Sequence, residues 1–223
     1  MIKYIKILIT FFNNLFSKKI PSEKFFFNLE IDIDKIKYFL ELKHTLDKNN
    51  FIWDGNWDKK KIKISEYRSF SVNFNSIFQI YEENKNYEEC DEYKKKTTLI
   101  QNGKITGRAN NIYDLKNYFK SLDILRDNLK KFGYKSQQEL KNNNKINDEI
   151  GVVIDRDGEI IKIEDNFGGT HRFALCKVLK IKKIIINVKA VHKSLLEERD
   201  LKNITTRNES SYMETFLKNK IKY

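Results

Sequence analysis

The stretch from Glu149 to His192 constrains the fold more than any other part of the chain. It begins with EIGVVIDRDGEIIKI, two β-type runs around Arg156-Asp157-Gly158 that predict a hairpin. A glycine turn follows, then THRFALCKVLK, whose apolar residues suit a buried helix face, and then IIINVKAV, a β-branched run typical of a buried strand. Hairpin, turn, helix and strand in this order predict an α+β unit.

The region before this unit is predicted to be largely helical. Residues 25–33 show the alternation of a strand, whereas 66–100 and 112–133 show the spacing of apolar residues expected for helices. Gly133 is well placed to end the last of these helices. Asp34 is predicted to cap a further helix that contains Ile36, Tyr38, Phe39 and Leu40.

These elements predict one domain rather than several. A length of 223 residues suits one domain with an appendage. We expect the domain to span residues 24–193, with a helical insertion over about 66–140. A polar, partly helical tail over 194–223 follows it.

Composition excludes several classes of protein. Hydrophobic residues make up 40% of the chain, with 16 Phe and 11 Tyr, which is enough apolar mass for a core and excludes general disorder. Cys90 and Cys176 are the only cysteines, so a disulfide framework and a four-cysteine zinc site are excluded. Three histidines in total also argue against a dedicated metal cage.

The net charge of +12 invites a nucleic-acid interpretation, but its pattern does not favour one. Of the 43 basic residues 36 are Lys, and they are spread almost evenly along the chain. A nucleic-acid reader is expected to cluster its basic residues and to favour Arg. The 24 Asn, beside many Ile and Phe, indicate the codon bias of an AT-rich genome instead.

The first 23 residues are predicted to form an amphipathic helix. Ile2, Ile5 and Ile9 follow helical spacing and have lysines on either side. The uncharged stretch from Ile7 to Phe16 is shorter than the roughly 20 apolar residues of a spanning helix. We expect this helix to pack on the domain, or to rest residues 1–19 on a membrane surface, in a protein of the cytoplasm.

The segment EDNFGGTHR, residues 164–172, has the composition of a phosphate site. Gly168 and Gly169 let the backbone approach a ligand closely, and free amides at a helix N-terminus bind anions. Thr170 offers a hydroxyl, His171 a proton-exchanging group and Arg172 a charged fork. The alternative is an ordinary glycine turn followed by a capping threonine.

The string DRDGEIIKIEDNFGGTHRFALCKVLKIKKIIINVKAVH resembles the ParB/sulfiredoxin fold, whose members place a Gly-x-His-Arg turn between a β-hairpin and a helix. This resemblance covers about residues 148–192. WDGNWD and GYKSQQEL, further upstream, are similar to a ParB-like branch found among bacterial polysaccharide gene neighbours. That branch carries Gly-Asp-Trp-Asp, where this chain has Asn56 in place of the first Asp.

The branches of this family differ in chemistry, so the resemblance implies nucleotide binding without fixing the reaction. Sulfiredoxins carry a nucleophilic cysteine where this chain has Thr170, which argues against their reaction. ParB proper adds a DNA-binding helix-turn-helix, for which the residues after His192 are too few. Free-serine kinases use the scaffold for phosphoryl transfer. The resemblance implies that the nucleotide, ATP or CTP, is held by Gly168, Gly169, Thr170, His171 and Arg172. His192, at the end of the buried strand, is a further candidate contact to the nucleotide, and a structural role is the equal alternative.

Phosphoryl transfer also needs a group that takes the acceptor's proton or holds Mg²⁺. Asp165 lies closest to the glycine turn and is the candidate for both roles. Glu149, at the start of the first strand, and His171 are the other catalytic candidates. Asp54 and Asp58 are candidate ligand groups as well, while the two tryptophans beside them are expected to anchor their loop in the core.

The expected function is an ATP-dependent, Mg²⁺-assisted phosphotransferase that acts on a small hydroxyl compound. Two alternatives stay open: a nucleotide-binding or nucleotide-hydrolysing switch, and a ParB-like nucleic-acid-binding protein or nuclease. The even spread of lysine and the missing helix-turn-helix argue against the last.

Overall fold

The structure is a computed structural model that describes residues 27–41, 50–106, 109–141, 148–164, 168–197 and 210–221. The helix predicted over residues 1–23 and the candidate Asp165 lie outside the described residues. Within them, helices and a mixed sheet occur together, which confirms the predicted α+β class. No helix in these ranges is long and apolar enough to cross a membrane.

One seven-stranded sheet organises the chain, with β1-β7-β5-β6-β2-β4 as the strand order and β3 also paired to β7. In chain order the strands are β1 (Phe27–Asp32), β2 (Tyr38–Leu40), β3 (Ile52–Trp53), β4 (Ile62–Lys63), β5 (Ile150–Ile154), β6 (Ile160–Ile163) and β7 (Lys183–His192). The hairpin partners β5 and β6 are antiparallel, and β5 and β7 are parallel.

Helices cover one face of this sheet. In chain order they are α1 (Tyr67–Phe70), α2 (Val72–Tyr81), α3 (Asp91–Gln101), α4 (Ile112–Phe132), α5 (Thr170–Val178) and α6 (Ser210–Lys220). Helix α5 is the crossover between the hairpin and β7, and it packs against α2 and α4. The glycine turn that precedes α5 therefore lies where three helices and the start of β5 meet.

Two hydrophobic clusters lie on the two faces of the sheet. The larger one fills the space between the sheet and the helices, and includes Phe173, Ala174 and Cys176 of α5. The smaller one packs the loop that follows β3 onto the opposite face, and its members are Leu40, Trp53, Trp57, Val153, Ile161, Ile163 and Ala190. Both tryptophans are buried, as predicted.

Most of the predicted elements are confirmed, and one is wrong. The hairpin, α5 and β7 lie where the sequence places them, and Gly133 ends α4 with a φ of 71°. Instead of the helix predicted after Asp34, Ile33–Lys35 form one 3-10 turn and Tyr38–Leu40 form β2. The reason is tertiary, because β2 lies between β6 and β4 and pairs with both.

Candidate functional site

The glycine turn before α5 is shaped by close packing. Gly168 and Gly169 both have positive φ, 75° and 81°. A Cβ atom at Gly169 would lie 2.8 Å from Cα of Ile150, and one at Gly168 would lie 2.7 Å from Oδ1 of Asp148. The backbone of Ile150 therefore requires glycine at position 169, whereas at 168 the positive φ favours glycine and the close atom is the movable end of the Asp148 side chain. The fold accounts for both glycines, so they give no independent argument for a ligand.

Among the described residues, no side chain caps the N-terminus of α5. Its N-cap residue is Gly169, which makes no side-chain hydrogen bond, whereas Phe173 N donates to Gly169 O at 2.7 Å. The amides of Thr170, His171 and Arg172 precede that first intrahelical bond. Such amides, together with the helix dipole, favour an anion at this position.

Arg172 is bound to the start of β5. Its Nη1 atom donates to Asp148 O at 2.7 Å and to Glu149 Oε2 at 3.2 Å. Burial disfavours the charge, but Tyr134, Glu149 and Asp148 outweigh it and raise the pKa of Arg172. All its hydrogen bonds with the described residues use Nη1, and its other two nitrogens make none with them.

Glu149 does not occupy the position predicted for a catalytic base. Its carboxylate is wholly buried and accepts hydrogen bonds from Tyr134 Oη and from Gln137 N, both at 2.6 Å. Burial raises the pKa of Tyr134, so the phenol keeps the proton that it donates. With Arg172 as a third partner, Glu149 anchors Arg172 instead of facing a ligand.

His171 pairs with a carboxylate that the sequence analysis missed. Its Nε2 lies 2.7 Å from Oε2 of Glu92, in the first turn of α3. This short contact assigns the ring proton to Nε2, which leaves Nδ1 with a lone pair. The imidazole keeps 19% of its side-chain surface exposed, whereas the Glu92 side chain keeps 1%.

Glu92 is held in place by several donors. Tyr118 Oη donates to its Oε1 at 3.0 Å, and Lys96 Nζ lies 3.4 Å from the same oxygen. The backbone N–H of Glu92 donates to Ser76 Oγ at 2.8 Å. Burial opposes ionisation, but His171, Lys96 and Tyr118 outweigh it and hold the pKa of Glu92 below its ordinary value. An ionised carboxylate therefore faces Nε2 of His171. This arrangement favours uptake of a proton at Nδ1, because the carboxylate stabilises the imidazolium that forms.

The structure does not bring His192 to the glycine turn. Gly169 approaches Ile150 at the start of β5, whereas His192 follows Val191, which pairs with Ile154 at the other end of that strand. The length of β5, about 13 Å at 3.3 Å per residue, separates the two places. This position does not support the predicted contact with a nucleotide held by α5.

His192 belongs to a second polar cluster, around the loop that follows β3. Its Nδ1 accepts from Ser194 N at 3.0 Å, so its Nε2 carries the proton and donates to Gly55 O at 2.9 Å. Arg156 binds both oxygens of buried Asp58, at 2.6 and 2.7 Å. These contacts fasten the loop to the hairpin, so Asp58 has a structural partner rather than the predicted ligand role.

No metal centre is found among the described residues. They contain no group of three or more His, Cys, Asp or Glu that could hold a metal ion. Asp165, the predicted magnesium ligand, lies outside them, and the carboxylate of Glu149 already accepts hydrogen bonds from Tyr134, Gln137 and Arg172. The described donor set therefore does not fit a resident Mg²⁺.

The missed residues, Glu92 and Tyr118, carry no local signal of function. They lie on α3 and α4, and only the packing of those helices beside α5 brings them to His171. A carboxylate in the first turn of a helix is common, because it interacts favourably with the helix dipole, and so it does not indicate a function. Comparisons of the chain with protein-family models, curated proteins and solved structures find no match.

Proposed function

We propose that this protein binds a nucleoside triphosphate, ATP or CTP, at the N-terminus of α5 and transfers its γ-phosphoryl group to a small hydroxyl compound. The proposal includes that residues 148–192 form a ParB/sulfiredoxin-like core. The observation that carries it is the 2.7 Å contact between His171 and Glu92 in the helical turn that also presents Arg172 and the uncapped amides.

The phosphates are assigned to the amides of Thr170 and His171 and to the guanidinium of Arg172. A helix N-terminus and an arginine fork are both suited to phosphate oxygens. Glu149 holds the guanidinium through one nitrogen, which fixes its direction. A preorganised donor costs no reorganisation when charge develops on the transferring group.

His171 is assigned as the general base that takes the proton of the acceptor's hydroxyl group. The acceptor's oxygen forms a bond to the γ-phosphorus while the bond from that phosphorus to the β–γ bridging oxygen breaks, releasing the diphosphate. Nδ1 takes the acceptor's hydroxyl proton, and buried Glu92 stabilises the imidazolium that results. General base catalysis of this kind contributes typically about 10²–10⁴-fold in rate.

Mg²⁺ supplies charge neutralisation to nucleotide phosphates in most phosphoryl-transfer enzymes. Because the described residues do not fit a resident ion, no step of the proposal depends on a protein-held metal. In the binding and turnover experiments, Mg²⁺ is added only as the counter-ion of the nucleotide.

The test is release of nucleoside diphosphate from ATP and CTP, measured alone and with a panel of small alcohols, sugars and hydroxy amino acids. We expect release to depend on an acceptor and to be lost in His171→Gln. Acceptor-independent hydrolysis would point to the switch alternative instead. Equal turnover in His171→Gln would contradict the assignment of the base.

A further inference from the structure

A buried polar cluster lies under the N-terminus of α5, on the helix-covered face of the sheet. Its members are Tyr67 of α1, Ser71, Lys162 of β6, Glu164 and Thr170 of α5. Ser71 Oγ donates to Glu164 Oε1 and caps α2 by accepting from Phe74 N at 3.2 Å. The proposed reaction uses none of these five side chains, and of Thr170 it uses only the backbone amide.

Tyr67 carries a buried hydroxyl that makes no hydrogen bond of normal geometry with the described residues. Its ring is wholly buried and stacked between Phe39, at 3.8 Å between centroids, and Phe74, at 4.4 Å. Burial chiefly raises the pKa of this phenol, and Glu164 raises it further. The hydroxyl therefore keeps its proton and is a donor, and leaving such a buried donor unpaired destabilises the folded state.

Lys162 is the second unusual group of the cluster. It is wholly buried and forms no ion pair with the described residues. Its register partner on β2 is Phe39, the residue that stacks on Tyr67. The ammonium donates to the carbonyl of Ile163, so it points along β6 toward Glu164 and the start of α5. Burial lowers the pKa of Lys162 to about 7.

Two donors of the cluster, the Lys162 ammonium and the Tyr67 hydroxyl, have no side-chain hydrogen-bond acceptor of normal geometry among the described residues. The Lys162 ammonium and the Tyr67 hydroxyl converge on the end of β6, where Thr170 and the positive end of the α5 dipole also lie. Among the described residues the carboxylate of the cluster is Glu164, which accepts from Ser71 through Oε1 and favours the charge of Lys162 without forming an ion pair with it. A buried cation and an unpaired hydroxyl together match an oxyanion, since a carboxylate or phosphate accepts from both.

We propose that Lys162 and Tyr67 form a subsite for an oxyanion, a carboxylate or a phosphate, beneath the N-terminus of α5. That this oxyanion belongs to the acceptor rests on the proposed function, and the acceptor is then a hydroxy acid or a phosphorylated alcohol. The existence of the subsite does not depend on nucleotide binding. Burial of both groups without a matched partner is unfavourable for folding, and a bound oxyanion would satisfy both of them.

The experiment follows Lys162 directly in the full chain. The protein is labelled with ¹⁵N-lysine, and the Nζ signal of Lys162 is assigned by its loss in Lys162→Met. Inorganic phosphate is titrated at pH 6, where the amine is protonated, with the exposed Lys183 as the internal control. We expect a saturable shift of the Lys162 signal that Lys183 does not share, and an affinity roughly tenfold weaker in Tyr67→Phe.

A second measurement separates binding from folding. Tyr67→Phe and Lys162→Met each remove a buried group that lacks a matched partner, so both are expected to raise Tm in phosphate-free buffer. A lower Tm for both variants would overturn the proposal, because the two groups would then be structural. A Lys162 signal that millimolar phosphate does not move would also overturn it.

These outcomes are distinct from those for the proposed function. Failure of ATP and CTP to bind, with the phosphate shift at Lys162 intact, would refute the phosphotransferase and leave the subsite standing. Acceptor-dependent turnover with an unmoved Lys162 signal would refute the subsite alone.

Discussion

Nε2 of His171 lies 2.7 Å from Oε2 of Glu92, which joins the first turn of α5 to the first turn of α3. The two residues are 79 positions apart in the chain, and the carboxylate is almost completely buried. A buried carboxylate fixes the orientation of its imidazole partner and stabilises the protonated ring.

Replacing Glu92 by Gln keeps the shape of the side chain and removes its charge. Because the imidazolium then loses its stabilising partner, we expect kcat for phosphoryl transfer to fall by roughly 10²-fold, with little change in nucleotide affinity. Steady-state kinetics on the purified variant measure this. Glu89→Gln, an exposed site three residues upstream, is the matched control and should behave as the wild type.

Glu92 also predicts how stability depends on pH. Its pKa in the folded protein lies below the ordinary value of 4.5, so ionised Glu92 contributes stability above about pH 4.5. That contribution is lost as pH falls through the lower, folded-state pKa. Urea unfolding of wild type and Glu92→Gln should show a constant difference in free energy near neutral pH that shrinks in acid. A difference that grows in acid would contradict the assigned ionisation.

The Arg172–Glu149 pair is predicted to be strongly coupled. Arg172→Ala leaves a wholly buried carboxylate without its cation, which typically costs about 3–5 kcal/mol of unfolding free energy. Glu149→Gln removes that charge, so the double variant should lose much less than the sum of the two single variants. Chemical denaturation of the four proteins measures the coupling, and additive losses would show that the pair does not interact.

The glycine turn gives a steric prediction with an internal control. Gly103→Ala meets no atom within 4 Å, so its expected cost is the strain of a positive φ, 69° at this glycine, or about 1–2 kcal/mol. Gly169→Ala has the same kind of strain and also forces its Cβ to within 2.8 Å of Cα of Ile150. We expect a loss of roughly 3 kcal/mol or more. Equal losses would show that the turn does not pack closely on β5.

Local signals in the sequence predict much of the fold. The hairpin turn, the apolar face of α5 and the β-branched run of β7 lie within a few residues of one another, and all three are confirmed. Residues Tyr38–Leu40 are different, because β2 is a strand through pairing with β6, over 100 positions away. No local pattern could indicate that pairing.

The candidate site was predictable only in part. Arg172 and His171 were found because they follow the glycine turn directly. Glu92, Tyr118 and Lys162 were missed, since their functional interest comes from burial and from partners on other elements. The position of His192 depends on the parallel pairing of β5 and β7. This pairing places the end of β7 beside the end of β5, whereas Gly169 lies at the start of β5.

The most direct test of the nucleotide site is calorimetric titration of ATP and CTP, with Mg²⁺ as counter-ion, into three proteins. These are the wild type, Glu149→Gln, which keeps the guanidinium, and the double variant Arg172→Ala/Glu149→Gln, which removes it without stranding a buried charge. The account predicts micromolar binding of at least one nucleotide to the first two proteins and its loss in the double variant. Equal affinity in all three proteins, or no binding to the wild type, would contradict it.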